Sequence, residues 1–221
     1  MSYGRTPISF SMAKDLVNSD SLDCFYRSEQ VLFDYHRYKC EMQKNGIDST
    51  TDLLVNHLQW APDSSMQLPS KYILDQLVHY KDARPFANKD DMIITKNLFP
   101  YYFKGNVTHL CVWLKSPMLP DPNSSVGDIS IHDKQLIEAY INETFVKWLG
   151  VPREDLIWFK NWTELQSIRP IPHIHVIIKN LTKEQFDRVI RTPGVPLQYN
   201  NHRRIHAPRS LHFQRIDQFA T

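Results

Sequence analysis

The sequence predicts an α+β fold: a small, mainly antiparallel sheet with packed helices and a helical N-terminal part. Three observations carry this. From residue 107 the apolar pattern reads strand, helix, strand, strand, helix, with the period changing between two and about 3.6. Before that point the periodic stretches are helical. No linker divides the chain, and 221 residues suit one sizeable core. Residues 1–19 read as a weakly patterned arm, and 20–221 as a single α+β domain.

Taken in order, Ser21 can cap a helix running to Asn45, with Gly46 as its stop. Leu22, Phe25, Leu32, Tyr35 and Met42 lie near one stripe, which predicts a core-facing helix. Residues 49–60 read as a short capped helix ending at Trp60. Pro62 and Pro69 then mark a loop, and a second short helix covers 70–81. Residues 83–105 carry many aromatics and acids and are broken by Pro85 and Pro100. They are too apolar for a solvated linker, so they are expected to wrap over the core.

Residues 107–115, VTHLCVWLK, are a strand. Thr108, Leu110, Val112 and Leu114 share one face; Val107, His109, Cys111 and Trp113 share the other. Both faces are largely apolar, which predicts a central strand. Residues 116–130 are a loop by composition. Ser130 or Asp128 caps a helix over 131–149, stopped by Gly150. A strand at 156–160, the turn NWTELQSIRPIP and a strand at 173–179 follow. Thr182 and Gln185 form a capping box that opens a last helix. The C-terminal tail is basic and rich in histidine. Its Arg203, Arg204, Arg209 and Arg215 are expected to form a solvated, ion-paired surface.

Net charge is +2, without the concentrated basic face that phosphate tracking needs, so no nucleic-acid partner is expected. Three widely spaced cysteines with no CxxC suggest neither a disulfide framework nor a cysteine zinc site. Cys111 is predicted buried and inert. The N-terminus has no apolar secretory core, and no apolar run approaches the roughly 20 residues of a spanning helix. A cytoplasmic protein with no membrane partner is expected, with nuclear access open.

The densest chemistry is His173-Ile174-His175. On a strand, both imidazoles project from one side, about 7 Å apart. Such a pair can bind a metal, supply a nucleophile beside a phosphate ligand, or act as acid and base. It can also be structural, hydrogen-bonded beside the sheet. His109 on the other strand, with Asp121 or Asp128, could complete a two-histidine-one-carboxylate metalloenzyme site. The stretch from Asp90 and Asp91 to Phe99, Tyr101, Tyr102 and Phe103 places rings beside carboxylates, a combination that suits sugar stacking.

The order Asn161, Gln166-Ser167-Ile168, His173-Ile174-His175 resembles the histidine-triad nucleotide hydrolases and transferases. That resemblance implies His173 as nucleophile, His175 as phosphate ligand, and Asn161 and Ser167 as supports. Ile171 stands where that family has its first histidine, and Pro170 and Pro172 occupy a turn where it has glycines. Three longer segments together are similar to the fungal N-acetylglucosamine-induced protein family, a domain of unknown function. They are PFANKDDMIITKNLFPYYFKGNVTHLCVWLKSP, GDISIHDKQLIEAYINETFV and WFKNWTELQSIRPIPHIHVIIK. This resemblance implies a cytosolic protein of amino-sugar metabolism or signalling. The ligand expected is a phosphorylated sugar or sugar nucleotide, held by His175, Asn161, Ser167 and His109, with His173 as the catalytic candidate. A phosphohydrolase or nucleotidyl transferase and a non-enzymatic regulatory protein both stay open. No cofactor and no resident metal is specified.

Overall fold

A computed structural model describes residues 6–199. Four strands make one antiparallel sheet: β1 (Met92–Lys96), β2 (Val107–Leu114), β3 (Leu156–Phe159) and β4 (His173–Lys179), in the order β1-β2-β4-β3. β2 is central, as its two apolar faces predict. β1 was not expected; it lies inside the aromatic connector. Its outer edge is closed by the chain's later segment, where the Arg191 amide donates to the Ile94 carbonyl and the Ile94 amide to the Thr192 carbonyl. That pairing removes an open strand edge.

Among the described residues, six α-helices surround the sheet. α1 (Phe10–Asn18) is capped by Ser9. It packs Phe10, Leu16 and Val17 into an apolar cluster with Ile157, Phe159 and Ile177. Residues 10–18 are therefore a docked helix where the sequence suggested a weakly patterned arm. α2 (Glu29–Lys44) starts under Ser28, later than the predicted Ser21 cap, because residues 22–24 form a separate 3₁₀ turn. It buries no residue, so the predicted core-facing role is corrected. α3 (Ser49–Asp52) continues as a π-helical turn, Leu53–His57. α4 (Ser70–Gln76) follows. α5 (Ile131–Ile141) is capped by Ser130 and runs on as a π-helical turn over Asn142–Trp148. α6 (Lys183–Val189) has the predicted capping box, with Thr182 and Gln185 bonding each other's backbone amides.

The two sheet faces have different burdens. Leu110, Val112, Ile174, Val176 and Ile178 face α5 and α6 in one large apolar core. The register sets Cys111 against His175 and Trp113 against His173, so the opposite face carries the histidines. That face is split between two smaller clusters. One packs Leu53, Leu54 and Ile73 against Cys111 and Trp113; the other is the α1 cluster. The histidines stand between them.

Gly194 has φ +68, and a Cβ there would lie 2.5 Å from the Tyr140 hydroxyl and 2.6 Å from Thr144 Cγ2. Both the left-handed backbone and the lack of space require glycine. Gly194→Ala is expected to cost about 2–4 kcal/mol in urea unfolding, from strain and overpacking together.

Candidate functional site

β2 and β4 place three imidazoles side by side. His109 Nε2 lies 2.9 Å from His175 Nδ1, and Cys111 Sγ lies 3.7 Å from the same nitrogen. Tyr101 stacks on His109 at 5.3 Å, and Phe159 stacks on His175 at 5.0 Å. All three rings are buried. Burial disfavours the charged form, so His109 falls to about 3, His173 to about 4, and His175 well below the usual range. The Cys111 thiol is pushed up to about 12 by the same desolvation. The sheet face therefore offers neutral imidazoles and an unionised thiol near neutral pH.

His173 is held in one tautomer. Its Nδ1 lies 2.9 Å from the Ile171 carbonyl. A carbonyl can only accept, so Nδ1 carries the hydrogen and Nε2 keeps its lone pair. The ring stacks on Trp113 at 4.4 Å, and Trp113 is in turn held by a hydrogen bond from its Nε1 to Thr95 Oγ1 at 2.9 Å.

Asn161 closes the other end. Its Nδ2 lies 3.2 Å from His175 Nε2 and 3.2 Å from the Tyr101 hydroxyl. Its backbone carbonyl accepts from Gln166 Nε2 at 2.7 Å. Its Oδ1 is buried without a hydrogen-bond partner among the described residues. A buried acceptor left bare costs about 1–3 kcal/mol, and a donor brought in by a ligand would recover it.

Over this floor lies a cavity of about 400 Å³. His173, His175, Asn161 and Ser167 all line it. The sequence-predicted residues are thus brought together, except His109, which stands behind His175 rather than on this cavity. α2 forms part of the wall with Tyr35, Tyr38 and Lys39, and Phe99 packs against both tyrosine rings. Arg27, Lys39, Lys96 and Arg191 put four cations on the lining, against the carboxylates of Asp23 and Glu164. These cations and the α2 tyrosines come from four separate parts of the chain. No local motif marks them. The predicted ring-and-carboxylate site divides: Phe99 and Tyr101 reach the cavity, whereas Asp91 accepts from the Lys81 and Asp82 amides and Asp90 pairs with Lys81. The tail arginines lie outside the described residues.

His109, Cys111 and His175 hold ligating atoms within 4.8 Å of one another, a donor set known from two-histidine-one-thiolate metal centres. The local hydrogen bonding opposes that use. The facing nitrogens share one hydrogen, and a metal would require both to be bare. His109 would then turn a protonated Nδ1 toward the Tyr101 amide, 3.3 Å away. Asn97, whose Oδ1 is held by the Phe99 amide, also points Nδ2 at His109 Nε2 from 3.0 Å. The carboxylates expected as partners are elsewhere engaged, Asp128 with Lys134 and Asp121 with Asn123.

The family model described as "Protein of unknown function (DUF3605)" matches residues 9–179. The chain belongs to that family. N-acetylglucosamine-induced protein 1 of Candida albicans is 37% identical over 186 residues, covering 83% of this chain and 73% of that protein. An uncharacterized protein of Saccharomyces cerevisiae is 25% identical over 166 residues, 75% of each chain. The crystal structure of HTC1 matches with a TM-score of 0.64 at 23% identity, covering 86% of this chain and 99% of that one, and shares the fold. The comparisons carry the N-acetylglucosamine-induced resemblance and not the histidine-triad one. Ile171, at the position of the missing first triad histidine, is packed into the apolar cluster beside Trp113.

Proposed function

We propose that this chain binds a phosphorylated sugar or sugar nucleotide in the cavity over His173 and His175, as part of the response to N-acetylglucosamine. One observation carries the reading. A single cavity joins a bare acceptor at Asn161 Oδ1, a lone pair at His173 Nε2, stacking rings and four cations. Hydroxyl or acetamide donors satisfy the first two, sugar faces suit the rings, and phosphate suits the cations. The name of the Candida relative supports an amino sugar as the sugar part.

Thermal-shift measurements test it with N-acetylglucosamine, its 6-phosphate, its UDP conjugate and inorganic phosphate. At a hundredfold excess over Kd, binding adds about 2.7 kcal/mol, or roughly 5–10 °C in Tm. The phosphorylated compounds are expected to shift wild type by that amount, and His173→Ala and Lys39→Ala by much less. The reading fails when no compound shifts wild type more than His173→Ala.

A second reading, a non-catalytic regulatory protein with structural histidines, draws on the 2.9 Å His109–His175 contact. It expects His173→Ala to lower Tm with no change in ligand response.

A further inference from the structure

The same cavity holds a third histidine, beside His173 and His175. His57 ends the π-helical turn Leu53–His57 and lines the cavity with His173. Its Nε2 lies 3.2 Å from Asp52 Oδ2. Asp52 is only 4% exposed. Its oxygens also accept from the Tyr38 hydroxyl at 2.5 Å and from Asn56 Nδ2 at 2.6 Å. A carboxylate held by two neutral donors and one imidazole orients that imidazole, with Nε2–H donating to Asp52 and the other ring nitrogen left for a partner. Arg191 donates to the His57 carbonyl and to Gln59 Oε1, which fixes a guanidinium beside the same wall. π-helical turns inside helices concentrate at functional sites.

His173 and His57 therefore differ in what holds them. A backbone carbonyl takes the His173 hydrogen and leaves Nε2 a base. A buried carboxylate takes the His57 hydrogen and fixes how that ring is turned. A base and an acid on one cavity are what cleavage of an ester with a poor leaving group requires.

We propose that Asp52 and His57 form the second proton-transfer pair of this cavity, which with His173 hydrolyses phosphomonoesters of sugar hydroxyls. The proposal rests on the sugar-phosphate reading above. In the step, His173 Nε2 takes a proton from water as the water oxygen bonds to phosphorus. The bond from phosphorus to the sugar oxygen breaks, and that oxygen takes a proton from the His57 imidazolium. Inorganic phosphate and the free sugar leave. His173 ends protonated and His57 neutral, and exchange with solvent restores both. Lys96 and Arg191 line the same cavity and would meet the phosphoryl charge there. Asp52 acts through His57 and is a positioning residue.

The test compares two esters on the full chain. Glucosamine 6-phosphate loses an alkoxide and needs the acid; p-nitrophenyl phosphate loses a stable phenolate and depends on it little. For His57→Gln, the fall in kcat/KM on the sugar phosphate is expected to exceed that on the nitrophenyl ester by about 100-fold. Asp52→Asn should show the same split, smaller, and His173→Ala should lose both substrates alike. The His57 side chain is 34% exposed, so His57→Gln should keep its fold, checked by circular dichroism. An equal loss on both esters, or no hydrolysis by wild type, overturns the pair. Thermal shift on the same samples separates the readings. Wild type that binds glucosamine 6-phosphate without cleaving it overturns the catalytic pair and leaves the binding reading. Wild type with neither binding nor turnover removes both.

Discussion

Lowering the pH from 7 to 5 is expected to destabilise the fold steeply. In the unfolded chain the imidazoles of His109 and His173 protonate near 6.5; in the folded chain they resist until about 3 and about 4. Between those values the unfolded state binds more protons, so stability falls as pH falls. His175, depressed by burial and its neighbours, acts in the same direction. Each pH unit costs about 1.4 kcal/mol for each imidazole. From pH 6.5 to 5, two groups give a loss on the order of 4 kcal/mol, roughly 10 °C in Tm. Circular-dichroism melts at pH 7, 6 and 5 measure it. The double variant His109→Gln, His173→Gln should flatten the dependence, and a wild-type Tm constant over this range would contradict the burial argument. The loss is complete only below about 3, where the folded rings also protonate. Above 6.5 both states hold neutral imidazoles and the contribution is fully present.

The other large effect lies on the opposite face of the sheet. Tyr140 on α5 is fully buried and stacks on Phe86 at 4.5 Å. Its hydroxyl donates to the Pro193 carbonyl at 2.7 Å. Tyr140→Ala is expected to cost about 3–5 kcal/mol, because it removes a whole ring from a core that cannot collapse around the void. Tyr140→Phe keeps the ring and leaves only the carbonyl bare, so it should cost about 1–2 kcal/mol. Denaturant midpoints for the pair separate the two effects. Equal losses would mean the hydrogen bond, not ring burial, holds the later segment against α5. Because that segment also closes β1, the measurement bears on how the sheet edge and Arg191 reach the cavity.

A neutral His173 fits the sugar-binding reading proposed for the cavity. A ring whose folded value is about 4 stays unprotonated across the physiological range, so His173 Nε2 is permanently available as an acceptor. Lysine and arginine side chains line the same cavity.

Much was legible in the residues. VTHLCVWL reads as a strand because both faces are largely apolar, and HIHVIIK because the histidine pair sits in an apolar run. Ser130, Gly150 and the Thr182–Gln185 box marked their helix ends correctly. The histidine pair and the Asn161–Ser167 turn were found because they sit within one continuous stretch. α1 was missed although Phe10, Ala13 and Val17 have helical spacing, since a nine-residue helix offers few repeats. MIITK was missed because its acidic and proline-rich flanks read as connector, and its strand state depends on pairing with β2 and Thr192. α2 was read as core-facing because its tyrosines imitate a buried stripe; they face a cavity instead.

By itself, the sequence determined the element types from residue 107 onward, the central position of β2 and the side of the sheet that bears His173 and His175. Those features follow from backbone periodicity within single elements. The tertiary structure decided that His109 backs His175 instead of lining the cavity. It also decided that Cys111, not a carboxylate, neighbours the pair, and that Asp52, His57, Lys96 and Arg191 share its cavity. These depend on strand register and on where α2 and the later segment close. Burial summed over many distant residues sets both, and no local pattern encodes that sum.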